Sequence, residues 1–225
     1  MPSLSFNELI YKSITAKDLD YKVLSVQSSG SIIVYTYALN YNGHDGADPV
    51  SPIVVANTDT ISFNISGFTH GGTNKVYYIA GSEANEQIYI RSDGRVRFVD
   101  ATNEIRQITG LTQLFDGGSH SVEMQLSPTN FELFIDGNSV GNVAGNLAST
   151  NTFTTLFRRS SSITPEDSVG VVYNVTFGTV ASYPLQDDTA GNTNLVDAIS
   201  GNNLTLVNPD LSLTNFIEVP LVGNQ

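Results

Sequence analysis

The stretch DGGSHSVEMQLSPTNFELFIDGNSVGNV, residues 116–143, decides the fold. Within it Val122, Met124 and Leu126 alternate with Ser121, Glu123 and Gln125, and Phe131, Leu133 and Ile135 alternate with Glu132 and Phe134. Alternation with period two marks strands with one dry face. SPTN turns the first strand into the second, and Asp136-Gly137 turns the second into a return strand over 138–143. An Asp-Gly pair between such runs is a strong hairpin signal, because a type I′ turn needs φ > 0 at both central residues. The six apolar residues are therefore predicted to share one buried face, since a slip of one residue would carry all of them into water.

The same pattern extends outward. SIIVYTYALNYN at 31–42 is a β-branched and aromatic run, and further runs at 60–68, 75–80 and 87–91 are each bounded by Gly, Asn or Asp. Asp93-Gly94 between QIYIRS and RVRFVD predicts a second two-residue type I′ hairpin. Runs at 152–159 and 169–179 complete the series, and no stretch sustains a helical period. The fold class that this pattern gives is all-β, an antiparallel sandwich.

Composition narrows the functions. The chain has 225 residues, 10 Lys+Arg against 22 Asp+Glu, and a formal net charge of -12. Such a balance argues against nucleic acid, whose phosphates must be neutralised by Lys and Arg. With 0 Cys there is no disulfide framework, zinc knuckle, iron–sulfur centre or thiol nucleophile. Only 3 His are present, His44, His70 and His120, each in a loop or strand-end context and expected to face solvent or cap a sheet. No run of about 18 apolar residues is present to span a bilayer. The N-terminus MPSLSFNELIYKS lacks the basic and apolar regions of a secretory leader, so the expectation is a complete, unsignalled product. Basic residues are localised: Lys12, Lys17 and Lys22 near the start, all 6 Arg between Arg91 and Arg159, and none beyond.

Residues 116–143 resemble the central hairpin of laminin G-like, concanavalin A-like jelly-roll domains, in which an aromatic or His-containing strand leads through a turn to a strand ending in aromatic-hydrophobic-Asp-Gly. YALNYNGHDGADPV (37–50) is similar to that family's entry strand and Asp-rich loop, and SVGVVYNVTFGT (168–179) to its closing strand. VASYPLQDDTAGNTNLVDAISGNNLTLVN (180–208) resembles a stretch found beside such domains. The resemblance implies a sandwich over 31–208, flanked by an N-terminal arm or edge strand (1–30) and a C-terminal tail (209–225). With 0 Trp, the chain departs from the family where Phe63 and His120 stand, which implies a core of smaller rings and no Trp sugar platform.

Candidate chemistry is sparse. No strand carries three carboxylates at i, i+2, i+4. Glu123 and Glu132, on adjacent strands of one hairpin, are expected to pair with Arg91, Arg95 and Arg97 rather than to flank a glycosidase cleft. No GxSxG elbow is present. Calcium is the cofactor that the resemblance implies at the sandwich rim, and two Asp-rich loops qualify, one with Asp45 and Asp48, the other with Asp187 and Asp188. For a glycan the candidate contacts are Tyr77, Tyr89 and Arg91. The functional expectation is a non-enzymatic structural or adhesive protein displayed on a phage virion surface, as a capsid decoration or tail component, with weak glycan binding. Its expected partners are other particle proteins, copies of itself and surface glycans. The alternatives are a stand-alone lectin-like module with an extracellular location, or a glycoside hydrolase or lyase on the same scaffold.

Overall fold

The computed structural model describes residues 24–26, 32–40, 46–68, 76–158, 171–185, 194–206 and 216–220. In chain order its strands are β1 (Leu24–Val26), β2 (Ile32–Asn40), β3 (Ala47–Pro49), β4 (Ile53–Ala56), β5 (Thr60–Ser66), β6 (Val76–Gly81), β7 (Gln87–Arg91), β8 (Arg95–Val99) and β9 (Ile105–Ile108). There follow β10 (Ser119–Ser127), β11 (Asn130–Ile135), β12 (Asn138–Ala144), β13 (Thr150–Phe153), β14 (Thr155–Leu156), β15 (Val171–Phe177), β16 (Ala181–Tyr183), β17 (Asn194–Leu195), β18 (Leu204–Leu206) and β19 (Phe216–Pro220). A single 3-10 turn, Thr112–Phe115, is the one helical element among the described residues.

Two antiparallel sheets form the sandwich. The first runs β1-β2-β15-β5-β10-β11-β12, with β16 also on β15 and β19 also on β2. The second runs β17-β18-β3-β14-β6-β7-β8-β9, and β13 pairs with β4 at the side. β15, late in the chain, lies between the early strands β2 and β5, a crossover characteristic of a jelly roll. β1 and β19 both lie along β2, Leu24 opposite Val34 and Phe216 opposite Leu39, so parts of both expected flanks join the sheet through their backbones. The remainder of those flanks lies outside the described residues.

The core forms where the apolar sets of the two sheets meet. Val122, Met124, Leu126, Phe131, Leu133 and Ile135 are all buried on one face, as their alternation requires. Ile61, Phe63 and Ile65 of β5 join them, and Ile88, Ile90, Val96 and Phe98 cover them from the second sheet. The rings of Phe98 and Phe131 stack between the layers, with centroids 6.0 Å apart at 14°. Phe63 is one of the smaller rings that fill a Trp-free core, and it is 1% exposed. Burying such a ring contributes about 1.5–3 kcal/mol.

The two Asp-Gly turns differ. Asp136 and Gly137 have φ of 52° and 74°, and Ile135 pairs with Asn138, so this is the two-residue turn with both central residues left-handed. At Asp93-Gly94 only Gly94 is left-handed, with φ 79°, and Arg91 pairs with Arg95. The loop is therefore Ser92-Asp93-Gly94, three residues closed by the Gly94 amide donating to the Arg91 carbonyl at 3.0 Å. This corrects the expected two-residue turn. Ser92, 2% exposed, is drawn out of the strand, and the glycine alone takes the strained position.

Candidate functional site

Each sheet turns one face to the core and one outward, so a functional face is built from the residues that the core rejects. On the second sheet the register Tyr78–Tyr89–Arg97–Gln107 runs straight across four strands, β6 to β9. The parallel row Val76–Arg91–Arg95 lies beside it. The inward row between them, Tyr77–Ile90–Val96–Ile108, belongs to the core.

The outward row is bonded within itself. Arg97 donates from Nη1 to the Tyr89 hydroxyl at 2.6 Å and from Nε to the Gln107 amide oxygen, and its guanidinium lies over the Tyr89 ring, 5.5 Å from the centroid. The Tyr78 and Tyr89 rings are tilted against each other at 5.3 Å. Asp93 in the turn takes both Arg91 (Nη2, 3.4 Å) and Arg95 (Nε, 3.1 Å) on one carboxylate oxygen. Its other oxygen and Arg91 Nε are buried without a hydrogen-bond partner among the described residues. Asp93 thus pairs with two of the three arginines on this face, and Arg97 is held by neutral partners, in a chain whose net charge is -12.

The expected sugar contacts separate accordingly. Tyr89 and Arg91 lie on this outward face, Tyr89 mostly covered by its neighbours. Tyr77 points the other way. Its ring stacks on Phe68 at 4.6 Å beside Phe115, it is 4% exposed, and burial pushes its hydroxyl pKa up. A ring so placed offers no face to a sugar. The tyrosine in the outward position is Tyr78, which alternation could have named: Tyr77 shares the phase of the apolar Ile79, and Tyr78 does not.

The first sheet carries a different outward face. Here Ser62–Glu123–Phe134 and Asn64–Ser121 align across β5, β10 and β11, with Gln125 beside them, and a groove of about 400 Å³ opens over them. The expected Glu–Arg pairs do not form, because the glutamates and arginines belong to different sheets. Glu123 accepts instead from Gln125 Nε2 at 2.7 Å, and Glu132 from the Ser139 hydroxyl at 2.7 Å. Register within a hairpin was readable from the sequence; which sheet each hairpin joins depends on distant strands.

At the end of that hairpin His120 is clamped. Its Nδ1 lies 2.8 Å from Asp136 Oδ2 and its Nε2 lies 3.0 Å from Asp116 Oδ1, with the ring largely buried. Two carboxylates on two ring nitrogens require both nitrogens to donate, which only the imidazolium can do. Burial alone would lower the His120 pKa, but the hydrogen bonds to Asp136 and Asp116 override it and raise it. His120 in turn, through its hydrogen bond, holds Asp116 below the usual carboxylate range. Of the three histidines expected to face solvent or cap a sheet, His120 caps the sheet from a buried position, and His44 and His70 lie outside the described residues.

Of the expected calcium ligands, only Asp48 lies among the described residues. Both its oxygens accept from Arg158 Nη2, at 2.5 and 2.6 Å, so its carboxylate is already neutralised. Asp45, Asp187 and Asp188 lie outside the described residues, and among the described ones no group of three or more His, Asp or Glu could hold a metal. Asp197, in the Ser-Gly-Asn stretch, is structural. Burial opposes its charge, but amides of Ser182, Ile199, Ser200 and Asn202 and the Ser200 hydroxyl all donate to it, holding its pKa at about 2.

No family model and no curated protein sequence matches the chain. Solved structures similar to it include the mouse laminin alpha1 chain, domains LG4-5, at 17% identity over 79% of this chain and 47% of that one, with a TM-score of 0.46. The carbohydrate binding module CBM66 from Bacillus subtilis is similar at 11% identity over 69% and 90%, TM-score 0.37. Sheep galectin-11 is similar at 10% over 48% and 93%, TM-score 0.34. The chain spans about half the length of the first structures that it matches. At these identities the likeness is one of fold alone, and the chain's own strand pairing is that of an antiparallel jelly-roll β-sandwich.

Proposed function

We propose that this chain is a non-enzymatic glycan-binding module, and that the outward face of β6–β9 is its binding face. One observation carries the reading: Tyr78, Tyr89, Arg97 and Gln107 form a continuous row across four strands, combining rings, a guanidinium and an amide. The half-buried Tyr78 ring offers a sugar an apolar plane, while guanidinium and amide groups read its oxygens. The Arg97 fork is held in place by Tyr89 and Gln107, which reduces the ordering cost of binding. Three guanidiniums against one carboxylate favour glycans that bear carboxylate or sulfate.

The test is binding to a panel of acidic and neutral glycans by the full chain and by Arg97→Gln. Retention of acidic glycans that is lost in the variant supports the reading. Equal binding by both proteins, with unchanged melting, defeats it, and so does hydrolysis of any bound glycan.

The setting proposed with this activity is a particle surface, as part of a phage capsid or tail, with other particle proteins and further copies of the chain as partners. An acidic, cysteine-free chain rich in Ser, Thr and Asn supports it, and mass spectrometry of purified particles tests it. Calcium is proposed at one of the two Asp-rich loops, Asp45 with Asp48 or Asp187 with Asp188, and the pairing of Asp48 with Arg158 favours the second. An unchanged melt between millimolar calcium and chelator would remove it.

A further inference from the structure

The groove on the other sheet is not used by that reading, and its chemistry is opposite. Phe134 stands on the polar side of β11, half-buried, where alternation would otherwise place a hydrophilic residue. Directly across the strand pair is Glu123, at roughly 5 Å between Cβ atoms for such neighbours. One Glu123 oxygen accepts from Gln125, and the other meets no donor among the described residues. None of the ion pairs among the described residues involves Glu123, and no Lys, Arg or His is among the described residues that line the groove. Asn64, Ser62 and Ser121 add amide and hydroxyl groups to the lining.

An aromatic plane beside a carboxylate without a counter-ion is the pairing that recognises an organic cation: the ring quadrupole and the carboxylate attract the same charge. The surrounding amides and hydroxyls suit a ligand that is otherwise polar, and about 400 Å³ suits one small ring. We infer that the groove formed by Phe134, Glu123, Gln125 and Asn64 binds an amino sugar with a free ammonium group. The sugar's apolar face lies on Phe134, its ammonium meets the open oxygen of Glu123, and its hydroxyls bond to Asn64 and Ser62. This site is on the sheet opposite the arginine row and does not depend on it.

Glucosamine, N-acetylglucosamine and glucose, titrated into the full chain and followed by calorimetry or by backbone NMR shifts, separate charge from shape. Glucosamine is expected to bind about tenfold more tightly than either neutral sugar, and to lose that advantage in high salt. Glu123→Gln should abolish the preference with an unchanged melt, and Phe134→Leu, which keeps an apolar side chain, should weaken all glucosamine binding. Three sugars binding alike would overturn the inference, as would no glucosamine binding, or a folded Glu123→Gln variant that keeps the preference. Arg97→Gln should leave glucosamine binding unchanged, so failure of the acidic-glycan reading and failure of this one are read separately.

Discussion

The outer faces of the two sheets are produced by the same two-residue alternation, yet they end in different states. On β6–β9 the rejected side chains find one another: Arg97 is tied to Tyr89 and Gln107, and Arg91 and Arg95 to Asp93. On β5, β10 and β11 Glu123 is tied only to Gln125, and the short Ser62, Asn64 and Ser121 leave a groove floored by Phe134 and edged by Glu123. The difference is one of side-chain length. Arg and Tyr reach across the spacing between strands and complete a layer, whereas Ser62, Asn64 and Ser121 do not. A completed layer presents a preorganised, flat surface suited to an extended ligand; an incomplete one presents a hole suited to a small one.

Both faces depend on the core that holds them back to back, and this is where the largest effect lies. Phe131→Ala, which removes the stack on Phe98, should cost about 3–5 kcal/mol by denaturant unfolding. Both binding activities should then weaken together. A loss under about 1 kcal/mol would mean that the two sheets are not joined at this point.

The next effect separates the faces. The His120 clamp holds Asp136, whose Oδ1 accepts from the Ser121 amide at 2.9 Å, and both Ser121 and Gly137 line the groove. Because the His120 pKa is raised on folding, its contribution is fully present below the unfolded value of about 6.5 and disappears as pH rises through the higher folded value. Melting temperature should therefore fall across that window. His120→Gln, which loses charge-assisted bonds worth about 1.5–3 kcal/mol, should flatten the dependence. Groove binding should follow the clamp, while the arginine row stays indifferent to it. An identical pH profile in wild type and variant would detach His120 from both.

A smaller effect tests preorganisation on the other face. Tyr89→Phe removes only the hydroxyl that accepts from Arg97 and keeps the ring beneath the guanidinium. Affinity for an acidic glycan should fall by about three- to tenfold, the cost of one hydrogen bond of about 1 kcal/mol, with little change in melting. An unaltered affinity would show that Arg97 needs no support.

These contrasts were unequally legible in the sequence. The hairpin of β10–β12 and its buried hexad were readable because alternation and an Asp-Gly turn are local. The choice between Tyr77 and Tyr78 was also local, yet either residue alone is a plausible platform until the phase is counted from Ile79. What could not be read is what lies far apart in the chain. Arg91, Arg95 and Arg97 are expected opposite Glu123 and Glu132, but β7 and β8 join the second sheet beside β6 while β10 and β11 join the first through β5, and no local pattern records that. The clamp on His120 gathers Asp116 and Asp136 from 4 and 16 residues away. Register places Val122 opposite Ile135, hence Ser121 opposite Asp136, so the Asp136 contact was within reach of the hairpin alone. The Asp116 contact needed the loop geometry.

The smallest expected effect compares the turns that close the two faces. Gly137 and Gly94 are both left-handed, and alanine at either position adds strain of about 1 kcal/mol. Their surroundings differ. A Cβ at Gly137 would meet nothing within 4 Å, whereas at Gly94 it would lie 3.1 Å from the Leu111 backbone nitrogen, which itself donates to the Gly94 carbonyl at 2.9 Å. Gly137→Ala should therefore show only the conformational cost. Gly137→Asn, with a residue that tolerates this conformation, should recover most of it. Gly94→Ala should cost more than Gly137→Ala, because the Leu111 backbone cannot give way without lengthening the bond it makes. Gly94→Asn should not recover the difference, since the obstruction is steric. Four melting curves decide the matter: equal losses at the two alanines, or recovery by asparagine at both, would mean that the turns are held by φ alone and that the Leu111 contact does not distinguish them.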